Sequence, residues 1–143
     1  MFIGEYRHTI DEKKRLAIPS KWRKQLGKDA VVTRGIDNCL VVYPMKEWGA
    51  MSDKLAKLPA SQLEARGFAR IMLAGAAEVV FDGLGRILIP EYLKDYALLK
   101  RNVVITGLHN RLEIWDETRW EAYKQNVEKE VGDFASKLGE LGI

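Results

Sequence analysis

Asp11-Glu-Lys-Lys-Arg15-Leu-Ala-Ile18-Pro19 returns later in the chain as Asp82-Gly-Leu-Gly-Arg86-Ile-Leu-Ile89-Pro90. The two stretches read D-x-x-x-R-L-x-I-P and D-x-x-x-R-I-x-I-P and stand 71 residues apart. A second match follows in the same order. VVTRGIDNCLVVYPMKEW, from Val31 to Trp48, aligns with VVITGLHNRLEIWDETRW, from Val103 to Trp120, now at an offset of 72. Val31/Val103, Val32/Val104, Gly35/Gly107, Asn38/Asn110, Leu40/Leu112 and Trp48/Trp120 are identical pairs. Two matches in one order, with a single insertion between them, are the signature of an internal duplication.

Each copy has the same plan. An approach strand comes first, with Phe2, Tyr6, His8 and Ile10 alternating with Ile3, Glu5, Arg7 and Thr9, and in copy two with Ala77, Val79 and Phe81 on the apolar face. Alternation of this kind marks a half-buried strand. Asp-x-x-x-Arg then makes a turn, with Gly83 and Gly85 supplying backbone freedom in copy two. Leu16 to Ile18 and Ile87 to Ile89 form the return strands. Pro19 and Pro90 end them and suit a helix start. A short helix over Ser20 to Leu26, closed by Gly27, precedes a hairpin whose strands run from Ala30 to Arg34 and from Cys39 to Tyr43.

The fold class is therefore mixed and mainly β: two tandem β-β-α-β-β units packed as a pseudo-twofold barrel. Central and C-terminal helices complete it. A first unit is expected over residues 1–50, connecting helices over 51–75, a second unit over 76–120 and an amphipathic helix over 121–143. Ser61 and Glu64 form a capping-box pattern that opens the central helix. In the last helix Tyr123, Val127, Val131, Phe134, Leu138 and Leu141 recur at three and four residues, which predicts packing onto the protein's own barrel ahead of packing onto a neighbouring subunit. One unit alone is too small to bury much apolar surface, so the two must share a core.

Composition narrows the function. The chain has 143 residues, one cysteine (Cys39) and no apolar run near the roughly 20 residues that span a bilayer. No signal peptide is read at the N-terminus and no membrane partner is expected. A lone cysteine forms neither an intrachain disulfide nor a cysteine metal cluster, and a reducing cytoplasm fits best. Charge is unevenly spread. From Arg7 to Lys24, seven cations (Arg7, Lys13, Lys14, Arg15, Lys21, Arg23, Lys24) face Asp11 and Glu12, a net of +5, whereas the equivalent Glu78 to Asp95 carries a net of −2. A local basic excess points to a polyanion.

The two turns carry the chemistry. Asp11 and Asp82 are expected to close them by accepting turn N–H groups, with Gly83 and Gly85 as the other turn-structuring residues. Arg15 and Arg86 have the bidentate fork that reads guanine edges or phosphate, and Lys13 and Lys14 add phosphate attraction. Arg7, Lys21 and Arg23 are flanking phosphate contacts, and the first turn is expected to lead. Catalysis has no support. His8 and His109 fall at non-equivalent repeat positions, and no H-x-x-x-H, G-x-S-x-G or Walker-type loop occurs. No catalytic residue, metal, cofactor or small-molecule substrate is expected.

At these residues the sequence resembles the MraZ family, whose two units are each similar to the AbrB/SpoVT swapped-hairpin DNA-binding fold. The resemblance covers nearly the whole chain. It includes the opening F-I-G-E-Y-R-H-T-I-D, both D-x-x-x-R motifs, the central helix ending in L-A-G-A, and L-E-I-W-D from Leu112 to Asp116. It implies a bacterial transcriptional regulator of cytoplasm and nucleoid. Its partners would be double-stranded DNA, as direct repeats in the promoter of the division and cell-wall gene cluster, and further copies of itself in a ring-shaped homo-oligomer. The family pattern D-x-K-G-R has glycine where this chain has Lys14, whereas copy two keeps Gly85. The competing readings are a structural ring or scaffold in cell division and an antitoxin-like regulator.

Overall fold

The computed structural model describes residues 1–143. Eight strands and five helices follow one another as β1 (Phe2–Thr9), β2 (Arg15–Ala17), α1 (Ser20–Leu26), β3 (Asp29–Arg34), β4 (Leu40–Pro44), α2 (Met45–Ala56), α3 (Leu63–Ala74), β5 (Ala77–Val80), β6 (Arg86–Leu88), α4 (Glu91–Tyr96), β7 (Asn102–His109), β8 (Leu112–Asp116) and α5 (Glu117–Glu140). The duplicated β-β-α-β-β plan is present in both copies. Pro19 and Pro90 stand immediately before α1 and α4, where their fixed φ favours helix entry and their missing N–H has no ladder to break.

The copies exchange their approach strands. A six-stranded sheet has the order β1-β7-β8-β4-β3-β5, and β2 and β6 form a separate two-stranded ribbon. Thus β1 of the first copy lies antiparallel to β7 of the second, from Phe2 opposite His109 to Thr9 opposite Asn102. In return β5 pairs with β3, from Asp29 opposite Val80 to Val32 opposite Ala77. The two hairpins meet through β4 and β8, centred on Val41 opposite Glu113. The ribbon is centred on Leu16 opposite Ile87. Each of these central pairs joins equivalent positions of the repeat, so a pseudo-twofold axis runs through both sheets.

One core serves both copies. Leu16, Ile18, Trp22, Val32, Leu40 and Val42 from the first pack with Ile87, Ile89, Leu93, Val103, Ile105, Leu112 and Ile114 from the second. Leu16 and Ile87 are fully buried, so the inner face of the ribbon is part of that core. Thr33 is buried and satisfies its hydroxyl on the Met72 carbonyl at 2.7 Å, which ties β3 to the end of α3. Cys39 is a buried core residue, and burial pushes its thiol up to about 12.

Four local expectations are corrected. Tyr6 is 42% exposed although its alternation predicts an inward side chain. It lies on β1, the edge strand of the six-stranded sheet, two residues after Gly4 at φ 106. Ser61 does not cap α3: Gln62 occupies the N-cap without a side-chain bond, and Arg66 instead donates to the Ala60 carbonyl. The first connecting helix starts at Met45, directly off β4, because Pro44 enters it at φ −58. The terminal helix α5 buries no residue. Asp116 caps it and Trp115 packs against Trp120 and Tyr123 at its start. At 1.5 Å per residue its 24 residues span about 36 Å, and it outruns the barrel that the apolar stripe was expected to cover.

Candidate nucleic-acid interface

The two Asp-x-x-x-Arg turns are built alike. The Asp11 carboxylate accepts the backbone N–H groups of Lys13 and Arg15, each at 2.9 Å, and Arg15 Nε donates to its other oxygen at 2.6 Å. Asp82 does the same for Leu84 and Arg86, at 2.9 Å each, with Arg86 Nε at 2.8 Å. These contacts hold both carboxyls below their ordinary value of 3.8, first through the arginine's backbone N–H and against partial desolvation. Both aspartates are therefore ionised at neutral pH and are held as turn anchors.

The fourth turn position needs a left-handed backbone. Gly85 supplies it at φ 74, and Lys14 adopts it at φ 62. The lysine that replaces the usual glycine therefore leaves the turn geometry intact and carries the conformational cost itself. Each turn is also braced by the opposite copy. Ile89 N–H donates to the Lys14 carbonyl at 2.8 Å, and Ile18 N–H to the Gly85 carbonyl at 3.1 Å.

These braces bring the turns to one surface. In the ribbon Arg15 lies opposite Leu88, and Ala17 opposite Arg86. Leu16 and Ile87 point inward, so Arg15, Ala17, Arg86 and Leu88 share the outward face. Arg86 Nη1 reaches Asp11 Oδ2 at 3.9 Å across the two copies. Nε of each arginine is committed to its aspartate, while the outer guanidinium nitrogens hydrogen-bond to no other group of the chain. The aspartates thus fix the orientation of the two forks and leave their outer edges available.

The remaining sequence candidates are distributed differently. Lys13 is exposed at the tip of the first turn. Lys14 folds back onto Glu91 at the start of α4, at 2.6 Å. Lys21 lies over the Trp22 ring at 5.5 Å. Arg7 is drawn away from the turns, toward Glu117 and Glu121 of α5 and Glu5 of its own strand. Arg23 reaches from α1 across the second turn, where it covers Gly85 so closely that a Cβ would run into its guanidinium. Its Nε is buried and has no hydrogen-bond partner.

Strand exchange also recruits cations that linear reading misses. A depression of about 340 Å³ beside the first turn is lined by Thr9, Asp11, Lys13, Arg15 and, from the second copy, Arg101. Lys94 and Lys100 flank the adjoining hollow. Ile10 N–H donates to the Arg101 carbonyl at 2.8 Å, and Phe81 N–H to the Lys28 carbonyl at 3.3 Å. Copy one therefore supplies Arg23 to the second turn, with the Lys28 backbone beside it, and copy two brings Lys94, Lys100 and Arg101 beside the first. The exchange adds three cations beside the first turn and fewer beside the second, so the basic excess stays with the first turn.

A duplicated, strand-exchanged barrel with paired Asp-x-x-x-Arg turns is matched by the sequence model of the family described as "MraZ protein, putative antitoxin-like", once over residues 1–71 and again over 72–137. The chain belongs to the MraZ family. Members similar over their full length, and over all of this chain, include the "Transcriptional regulator MraZ" of Halothermothrix orenii at 47% identity and that of Natranaerobius thermophilus at 45%. The Clostridium tetani protein of the same name is 46% identical over 144 aligned residues. The two MraZ matches meet at residues 71 and 72, in the last turn of α3 and a few residues before β5, close to the point where the repeat itself restarts. No helix of the chain is long and apolar enough to cross a membrane.

Proposed function

We propose that this MraZ protein is a sequence-specific DNA-binding transcriptional regulator whose β2–β6 ribbon and its two turns contact DNA. The observation that carries the reading is the pair of arginines, Arg15 and Arg86, held by their own aspartates on one outward face. A two-stranded antiparallel ribbon fits the major groove, and an oriented guanidinium suits guanine or phosphate. Lys13 and Arg23 extend the face, with Lys14 and Lys21 as weaker contributors that must leave Glu91 and Trp22 to reach phosphate. Arg7, already surrounded by carboxylates, takes the smallest part. Non-enzymatic regulation fits this arrangement, which needs neither cofactor nor small-molecule substrate.

The family resemblance extends the proposal to direct repeats in the division and cell-wall promoter, to action in the cytoplasm at the nucleoid, and to a ring-shaped homo-oligomer. The apolar stripe of α5 supports self-association, since Val131, Phe134 and Leu141 are 54%, 36% and 76% exposed. A ring suits the energetics. Each good base contact contributes about 1–3 kcal/mol, so a single chain binds weakly, whereas linked copies engage spaced repeats together.

The test is a gel shift on the chain's own promoter region with sedimentation in parallel. Arg15→Ala is expected to abolish specific binding while the assembly keeps its mass. Wild-type affinity should fall steeply with salt, at a log–log slope of about −0.9 per phosphate contacted. Unchanged affinity in the Arg15→Ala variant overturns the assignment.

A further inference from the structure

The two turns differ in one respect that neither packing nor strand exchange explains. Leu84, at the tip of the second turn, is 71% exposed, and Leu88, on the outward face of the ribbon, is 58% exposed. Their counterparts in copy one, 71 residues earlier, are Lys13 and Ala17. Leu84 contributes to the turn through its backbone N–H on Asp82, which any residue would supply. Leu88 lies directly opposite Arg15 on the ribbon and therefore projects from the same face. Two large apolar side chains stand on a surface that also holds Arg15, Arg86, Lys13, Arg23 and the small Ala17.

We infer that Leu84 and Leu88 are specificity-determining residues that pack against thymine 5-methyl groups in the major groove, an inference that rests on the DNA-binding reading of this face. The thymine methyl is the apolar feature of the major-groove floor, and apolar side chains are its ordinary partners. The surrounding guanidinium and ammonium groups favour a polyanion as the occupant and disfavour burial in an apolar protein interface, where they would lose hydration without a counter-charge. The pseudo-twofold face then reads its operator asymmetrically. The first turn offers a cation, Lys13, where the second offers Leu84. A chain built in this way distinguishes the two ends of its site and binds in one direction, which a direct repeat preserves and a palindrome would not.

The experiment uses the full chain and a pool of duplexes with a randomised centre, from which the wild-type protein selects its site. Each thymine of the selected site is then replaced by deoxyuridine, which removes only the methyl. Wild type is expected to lose about fourfold in affinity for each contacted methyl. Leu84→Ala and Leu88→Ala should bind the thymine site more weakly by a similar factor and become indifferent to the deoxyuridine at their own contact. Their sedimentation should match wild type. Variants that bind as tightly as wild type, or that weaken equally on thymine and deoxyuridine sites, overturn the inference. So does a fall in assembly mass, which would make the occupant a second copy of the chain. Arg15→Ala separates this from the underlying reading. If it abolishes binding while the leucine variants behave as wild type, only the leucine contacts fail. If it too binds normally, the DNA-binding face itself is wrong.

Discussion

Lys14 and Gly85 occupy one backbone conformation with two very different residues. A non-glycine residue in the left-handed region costs about 1–2 kcal/mol, which Gly85 avoids. Gly85→Ala should therefore destabilise the fold by about that amount, with an added adjustment of Arg23. Lys14→Gly should be close to neutral. It relieves the backbone but loses the exposed, solvent-screened Lys14–Glu91 pair and gains unfolded-state freedom. Thermal melts of both variants check the contrast. The turn aspartates add a pH dependence. Their carboxyls titrate lower in the folded chain than in the unfolded one, so their contribution is present at neutral pH and is lost as pH falls below 3.8 and through the lowered values. The melting temperature of Asp11→Asn/Asp82→Asn should approach that of wild type only in that acid range. The aspartate roles were legible in the sequence, because a carboxylate two and four residues before turn N–H groups has few other uses. The left-handed Lys14 was not, since nothing in a lysine announces positive φ.

At the scale of elements, the hairpins, the short helices after Pro19 and Pro90 and the return strands follow from local signals. Proline and glycine punctuation and alternating burial sufficed there. The ends of the central helices did not follow, because Ser61-x-x-Glu64 offers a cap that the chain places one residue outside the helix. The last helix shows a deeper limit. An amphipathic stripe states which side chains need cover, but not what supplies it. Past Val127 nearly all of α5 is exposed, so its removal should leave the barrel almost untouched. A chain ending at Lys124 is expected to melt cooperatively with a loss under about 1 kcal/mol, since little area is uncovered. In the ring reading the same truncation lowers the assembly mass by sedimentation. A truncated chain that keeps its full mass would show that α5 does not join the copies.

For the molecule as a whole, duplication was plain in the residues themselves, whereas exchange between the units was implied only by the resemblance to a swapped-hairpin fold. The pairing of Phe2–Thr9 with Asn102–His109 spans about two thirds of the chain and leaves no local trace. That exchange also brings cations of each copy beside the turn of the other. A direct consequence is that the copies are not separable. Residues 1–75 alone leave β1 without β7, and residues 76–143 alone leave β5 without β3. Each half should lack a cooperative thermal transition by circular dichroism, and mixing the two should restore one. Independent folding of either half would contradict the shared core.

The same pairing sets a schedule on the ribosome. The first strand to be synthesised finds its partner only when residue 102 and those after it have been made. At roughly 5–20 residues per second, that leaves the nascent amino terminus waiting on the order of 5–20 s with an open strand edge. For that interval Ile3, Glu5, Arg7 and Thr9 are the outward side of an unpaired strand. The charges on Glu5 and Arg7 then act as guards against premature pairing with a neighbouring nascent chain.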